Sequence, residues 1–135
     1  MRAEWPSGRL RLHWLWVAVG ALFMLWGLYQ ALESDPALHL DFFGGDKLLH
    51  VLGSACLMGW WGNVFAGRRA RNMAALGCLA YGLLIETLQW LDPPRTADGL
   101  DLLADAGGIA VALVLLHTPL AGVLAWVERT LARRG

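Results

Sequence analysis

The sequence predicts an all-α protein, a bundle of four transmembrane helices that run antiparallel, up and down, with both termini in the cytoplasm. Three observations predict it: four long apolar segments, short connections between them, and basic residues gathered in alternate connections. Of the 135 residues, 57% are hydrophobic and 16% charged, whereas soluble domains carry about a quarter charged residues. The length suits one domain. The net charge of zero provides no general attraction to nucleic acid.

Each apolar segment is long enough to cross a bilayer. A helix needs about 20 apolar residues to cross a hydrocarbon core of roughly 30 Å. The four segments are residues 12–32, 48–66, 73–91 and 100–127, which together make one transmembrane domain over residues 1–135. The last is longer than necessary. We expect Pro119 to bend or end it, because proline removes a backbone hydrogen bond.

The basic residues predict the orientation. Nine of the eleven Lys and Arg residues precede the first segment, lie between the second and third, or follow the fourth: Arg2, Arg9, Arg11, Arg68, Arg69, Arg71, Arg129, Arg133 and Arg134. Lys47 and Arg95 are alone in the other two connections, which hold most of the acidic residues. Cytoplasmic loops are enriched in Lys and Arg. Both termini are therefore predicted to be cytoplasmic.

Ionisable residues gather at the outer ends of three segments. They are Asp46, Lys47 and His50 in the second, Glu86 with Gln89 in the third, and Arg95, Asp98, Asp101 and Asp105 around the start of the fourth. Spacings of three and four place each set on one helix face. By helical rise, Glu86 lies about 7 Å inside its segment and Asp105 about 6 Å below Asp101. We therefore predict one localised polar site, open to the outside.

These motifs resemble those of the VanZ-like membrane proteins. In that family an Asp-Lys-x-x-His motif opens a span, a Gly-x-x-x-Glu-x-x-Gln motif ends the next, and an Arg-x-x-Asp-x-x-Asp-x-x-x-Asn stretch enters the last. Here the motifs read Asp46, Lys47 and His50; Gly82, Glu86 and Gln89; and Arg95, Asp98, Asp101 and Asp105. Asp105 stands where the family often has Asn. The resemblance covers most of the chain from Asp46 onward.

The resemblance implies where the protein is located more than which reaction it performs. It implies a multi-pass protein of the bacterial cytoplasmic (inner) membrane that serves the cell envelope. The founding member of the family is associated with resistance to the glycopeptide antibiotic teicoplanin. A link to glycopeptide resistance is therefore an expectation for this chain, and its expected partner is a membrane lipid or a lipid-linked envelope component.

Three roles for the polar site remain open. The first is binding of an anionic envelope component, with Lys47, Gln89 and Arg95 as ligand-binding residues, because arginine donates two parallel hydrogen bonds to phosphate. The second is purely structural: Asp46, Asp98 and Asp101 would support the site by pairing with the basic residues and locking the helix ends. Ion or proton transport is disfavoured, because no matching polar residues cross the inner half.

The third role is an enzyme that acts on a lipid-linked phosphate or acyl group. His50, Glu86 and Asp105 are the candidate catalytic residues, with His50 or Glu86 as general base. Asp98, Asp101 and Asp105 could hold Mg²⁺ or Ca²⁺, which favour oxygen ligands. No Gly-x-Ser-x-Gly nucleophile motif is present. The histidines also lack the spacing of a zinc motif.

Overall fold

The structure is a computed structural model that describes residues 10–33, 40–92 and 98–134. Within these ranges the chain forms only helices: α1 (His13–Leu32), α2 (Gly45–Val64), α3 (Arg68–Trp90), α4 (Gly99–Leu115) and α5 (Val123–Ala132). A short 3-10 helix, Pro119–Gly122, joins α4 to α5. The predicted all-α class is confirmed for the described residues.

The length and apolar character of the helices indicate a membrane protein. Among the described residues, α1 and α3 are each long and apolar enough to span a membrane. The segment from α4 to α5 adds a third if that bent pair counts as one span. Large apolar side chains lie exposed on the outside of the bundle, among them Trp14, Leu22 and Val114. A lipid environment accounts for this apolar exterior.

The consecutive helices α2, α3 and α4 alternate in direction. Lys47 in the first turn of α2 bonds Asp98 and Asp101 at the start of α4, so α2 and α4 are parallel. Arg71, near the start of α3, bonds the carbonyls of Gly62 and Leu116 at the other ends of α2 and α4. Since α3 therefore runs opposite to both, the starts of α2 and α4 meet the end of α3.

Small residues let the helices approach closely. The core contains Leu57, Met58, Cys78, Ile109, Ala112 and Leu116. Gly62 faces Leu116, and a Cβ atom on Gly62 would overlap the leucine side chain. Gly108 is packed as tightly as Gly62, because a Cβ atom on it would overlap the side chain of Ser54 and the backbone of α2. Small residues at helical contacts are typical of membrane bundles, where close backbone packing replaces the hydrophobic effect.

The helix boundaries differ from the predicted segments most at the start of α3 and at the end of α4. The basic residues Arg68, Arg69 and Arg71 lie inside α3, not in a connection, and the turn is reduced to residues 65–67 around Gly67 at φ +103°. The predicted segment 100–127 is two helices bent by 83°. The bend occurs at the expected place, because α4 ends at Leu115, just before the Pro119 turn.

A carboxylate from the end of the chain caps the start of α1. Leu12, the residue before α1, provides no side-chain cap. Instead Glu128 of α5 accepts hydrogen bonds from the backbone N–H groups of Arg11 and Leu12, at 2.7 and 2.9 Å, and from the indole of Trp16 at 2.7 Å. The first N–H groups of a helix need such acceptors. Glu128 therefore ties α5 to α1.

Candidate functional site

Seven ionisable side chains meet where the starts of α2 and α4 lie beside the end of α3. We call this set the polar cluster: Asp46, Lys47, His50, Glu86, Asp98, Asp101 and Asp105. All seven are residues that the sequence singled out. Antiparallel packing of α3 against α2 and α4 brings together residues up to 59 positions apart, from Asp46 to Asp105.

Lys47 joins the rim of the cluster through three carboxylates. Its Nζ atom lies 2.7 Å from Asp98, 2.8 Å from Asp101 and 3.2 Å from Asp46. Asp98 also caps α4 by accepting the N–H of Leu100 at 2.9 Å. The hydrogen bond from Lys47 holds the pKa of the Asp98 carboxyl below its usual value, so Asp98 is ionised at neutral pH.

His50 and Asp105 form a pair deeper in the cluster. The Nδ1 atom of His50 lies 3.1 Å from Oδ1 of Asp105. The contact is a hydrogen bond from His50 to Asp105 in the tautomer that carries the proton on Nδ1. The other ring nitrogen, Nε2, lies 3.7 Å from Oδ2 of Asp101, too far for a hydrogen bond. The pair therefore orients His50 and turns Nε2 toward a second carboxylate.

Glu86 is the most unusual member of the cluster. It is 7% exposed, and its Oε2 atom accepts the backbone N–H of Asp98 at 3.0 Å. Its Oε1 atom is buried and has no hydrogen-bond partner among the described residues. A buried polar atom without a partner costs about 1–3 kcal/mol, more for a charged group. Such an atom calls for an explanation beyond helix packing.

Three members of the cluster have the arrangement of metal ligands. His50, Glu86 and Asp101 each offer one donor atom, and these atoms lie within 4.8 Å of one another. Glu86 and Asp101 are buried and His50 is partly buried. The predicted cation set, Asp98, Asp101 and Asp105, shares only Asp101 with this group. Asp98 is bonded to Lys47 and Asp105 to His50.

One of the predicted ligand-binding residues, Gln89, is bonded outside the cluster. The side chain of Gln89 donates a hydrogen bond of 2.8 Å to the carbonyl of Ala31, which joins the ends of α3 and α1. Arg95 lies outside the described residues. Sequence reasoning also gave no role to Glu128 and treated Arg71 only as an orientation signal. In the sequence, the available signal for Glu128 was an acidic residue in a predicted cytoplasmic segment. The structure shows that its side chain is buried.

The described cluster has an excess of negative charge. It holds five carboxylates, with only Lys47 and His50 as basic side chains. Even a protonated His50 would leave more negative than positive groups. Uncompensated charge is costly in a membrane unless it is paired or hydrated. A cation bound at the cluster would offset this excess.

Comparisons with family models, curated proteins and solved structures found no match for this chain. The resemblance to the VanZ-like proteins therefore stays a prediction that depends on the three motifs.

Proposed function

We propose that this chain is a VanZ-like protein of the bacterial cytoplasmic membrane that binds an anionic cell-envelope component, a lipid or a lipid-linked glycan, at the polar cluster. One observation carries the proposal: charged side chains from three helices converge at one end of a bundle whose core is apolar. Intramembrane ionisable groups are costly, and in membrane proteins they commonly mark functional sites.

The proposal includes four spans with both termini in the cytoplasm. The helix α2 has 20 residues, about 30 Å by helical rise, and packs beside α1, α3 and α4. Its polar first turns, which belong to the cluster, lower its hydropathy. The cluster would then lie at the outer surface, and Arg71 at the cytoplasmic surface.

In this orientation α4 is the fourth span and α5 lies along the inner surface. The helix α4 has 17 residues, about 25 Å by helical rise, before the chain bends by 83°. In α5, Trp126 is exposed and Arg129 stands in the last turn. Apolar and basic side chains together are typical of helices that lie in the membrane interface.

The surroundings of the cluster fit an envelope ligand. Phe42, Phe43 and Trp90 are exposed beside the ends of α2 and α3, where they can flank an acyl chain or a sugar ring. Lys47 is one-third exposed, and Arg95 belongs to the adjoining connection. An anionic group that approaches here must compete with the three carboxylates already bonded to Lys47.

Hydrolysis of a lipid-linked phosphate or acyl group is the second candidate function. The orientation of His50 favours it, because Asp105 holds Nδ1 and leaves Nε2 to accept a proton. In such a reaction water attacks the phosphoryl or acyl centre. His50 takes the proton from the water and returns it to the leaving alcohol.

Mass spectrometry of envelope lipids tests the proposal. The wild type, Arg95→Gln and Arg69→Gln would be purified from bacterial membranes in mild detergent, and the bound lipids extracted. Arg69 is an exposed residue of the opposite end and is the matched control. We expect wild type and Arg69→Gln to retain the same anionic species, and Arg95→Gln to retain at least about tenfold less.

Other outcomes separate the alternatives. An envelope species whose mass changes with wild type but not with Glu86→Gln would favour the enzyme. If wild type retains no specific lipid and changes no species, the cluster serves only to join the helix ends, and the binding proposal is wrong.

A further inference from the structure

We propose that His50, Glu86 and Asp101 bind one divalent transition-metal ion, such as Zn²⁺, at the centre of the polar cluster. The inference goes beyond the proposed function, because it concerns a metal site and not an envelope ligand. It also excludes His50 as the general base of the second candidate function, since a nitrogen that binds a metal cannot accept a proton. Two independent observations support it: the convergence of three donor residues, and the buried Glu86 oxygen that has no partner among the described residues.

Each of the three side chains has one atom in a polar contact with a neighbour and a second donor atom besides. His50 contacts Asp105 through Nδ1, and its Nε2 faces Asp101. Asp101 uses Oδ1 for Lys47, and its Oδ2 faces His50. Glu86 accepts the N–H of Asp98 with Oε2, and its Oε1 has no hydrogen-bond partner among the described residues. The bonded atoms fix the side chains, so the other atoms are ready to act as ligands.

The spacing between His50 and Asp101 fits a cation bound by both. In neutral His50 with its proton on Nδ1, Nε2 carries a lone pair that faces Oδ2 of Asp101 at 3.7 Å. Two acceptors repel each other unless a positive group, either a proton added to Nε2 or a bound cation, lies between them. A tetrahedral zinc ion with bonds of about 2.1 Å holds its donors roughly 3.4 Å apart. The observed distance needs only a small inward movement.

The donor atoms favour a transition metal over Mg²⁺ or Ca²⁺. The latter two prefer a shell made entirely of oxygen. A set of one imidazole nitrogen and two carboxylates suits Zn²⁺, Mn²⁺ or Fe²⁺. A divalent ion would also offset the excess negative charge of the cluster. Three protein ligands leave one coordination position of a tetrahedral ion open, as in catalytic zinc sites.

Asp105 serves as the outer partner of the metal-binding histidine. A carboxylate that accepts the second N–H of such a histidine fixes the ring and increases its basicity. Asp105 is itself placed by α3, where Gly82 leaves room for its Oδ2 atom. If the ion binds, its open position gives a negatively charged cluster a direct way to hold a phosphate or carboxylate.

Metal binding can be measured on the full-length protein without knowledge of any envelope ligand. Purified, chelator-treated protein in detergent would be titrated with Zn²⁺ by calorimetry, and the bound metal counted by mass spectrometry. We expect one Zn²⁺ per chain and little response to Mg²⁺ or Ca²⁺. Co²⁺ should give the visible absorption of a tetrahedral site.

Variants test the ligand set. Glu86→Gln should weaken Zn²⁺ binding at least about 100-fold and His50→Gln similarly, whereas the outer variant Asp105→Asn should weaken it about 10- to 100-fold. His117→Gln, an exposed histidine at the opposite end, is the matched control and should bind as wild type. Glu86→Gln retains an oxygen for the N–H of Asp98, so it should remain folded even if His50→Gln does not.

Several results would overturn the inference. They are no saturable binding at one ion per chain, equal affinity in wild type and Glu86→Gln, or loss of binding only in His117→Gln. Lipid extraction from the same preparations separates the two proposals. Zn²⁺ binding without a retained lipid would contradict only the envelope function. A retained lipid that survives chelation, with no Zn²⁺ binding, would contradict only the metal site.

Discussion

The carboxylate of Asp105 packs against the backbone of Gly82, so closely that a Cβ atom on Gly82 would lie 2.5 Å from Oδ2. The absence of a side chain at position 82 thus determines where α3 and α4 meet inside the polar cluster. Because Oδ1 of the same carboxylate contacts His50, the contact with Gly82 also determines the orientation of the histidine.

Gly82→Ala should therefore damage both stability and the site. The added methyl group would displace Asp105, with an expected loss of about 1–3 kcal/mol in the free energy of unfolding and about tenfold in Zn²⁺ affinity. Gly77→Ala is the matched control on the same helix, because a Cβ there meets nothing within 4 Å. Unfolding in mixed detergent micelles and Zn²⁺ titration would measure the two effects. Equal behaviour of both variants would contradict the proposed role of Gly82.

Arg71 should be more than an orientation signal. Its guanidinium donates to the carbonyls of Gly62 at 3.0 Å and Leu116 at 3.2 Å, near the ends of α2 and α4. These carbonyls belong to helix ends that lack intrahelical partners. We expect Arg71→Ala to lower the free energy of unfolding by about 2–3 kcal/mol, since bonds to charged groups are the stronger kind.

The exposed Arg69 supplies the control for that measurement. Arg69→Ala should change the unfolding free energy by less than about 0.5 kcal/mol. If Arg71→Ala proves as mild as Arg69→Ala, its bonds contribute nothing to stability and the basic residues of α3 only set the orientation.

Glu128 should stabilise the start of α1. Glu128→Ala would leave the N–H groups of Arg11 and Leu12 and the indole of Trp16 without their acceptor. We expect a loss of about 2–3 kcal/mol in the free energy of unfolding, together with a change in Trp fluorescence. Arg133→Ala, an exposed change near the same terminus, should have little effect. A fluorescence spectrum unchanged by Glu128→Ala would argue against the contact with Trp16.

Cysteine labelling in intact cells tests the proposed orientation. Asp92 and Arg69 are exposed at opposite ends of α3. Asp92→Cys should react with a membrane-impermeant thiol reagent added outside, and Arg69→Cys only after the membrane is opened. The wild type reports any reaction of Cys56 and Cys78. The reverse pattern would place the polar cluster on the cytoplasmic side.

The sequence by itself determined the helical class, the membrane environment and the members of the polar cluster. The apolar segments are long enough to require helices in a bilayer, because only internal hydrogen bonding satisfies the backbone there. Residues at spacings of three and four, such as Asp98, Asp101 and Asp105, share a helix face whatever the tertiary arrangement. Local geometry was sufficient for these predictions.

Only the tertiary structure decided which atoms meet. The sequence could not show that Gln89 bonds Ala31 of α1, that Glu128 caps a helix more than 100 residues away, or that Arg71 joins three helices. It offered the aspartates around the start of one helix as possible cation ligands, whereas the donor residues that converge come from α2, α3 and α4. Such contacts depend on how packed helices are rotated and shifted relative to one another. Small residues such as Gly82 set this arrangement by letting the helices approach closely, and the spacing of residues along one segment does not reveal it.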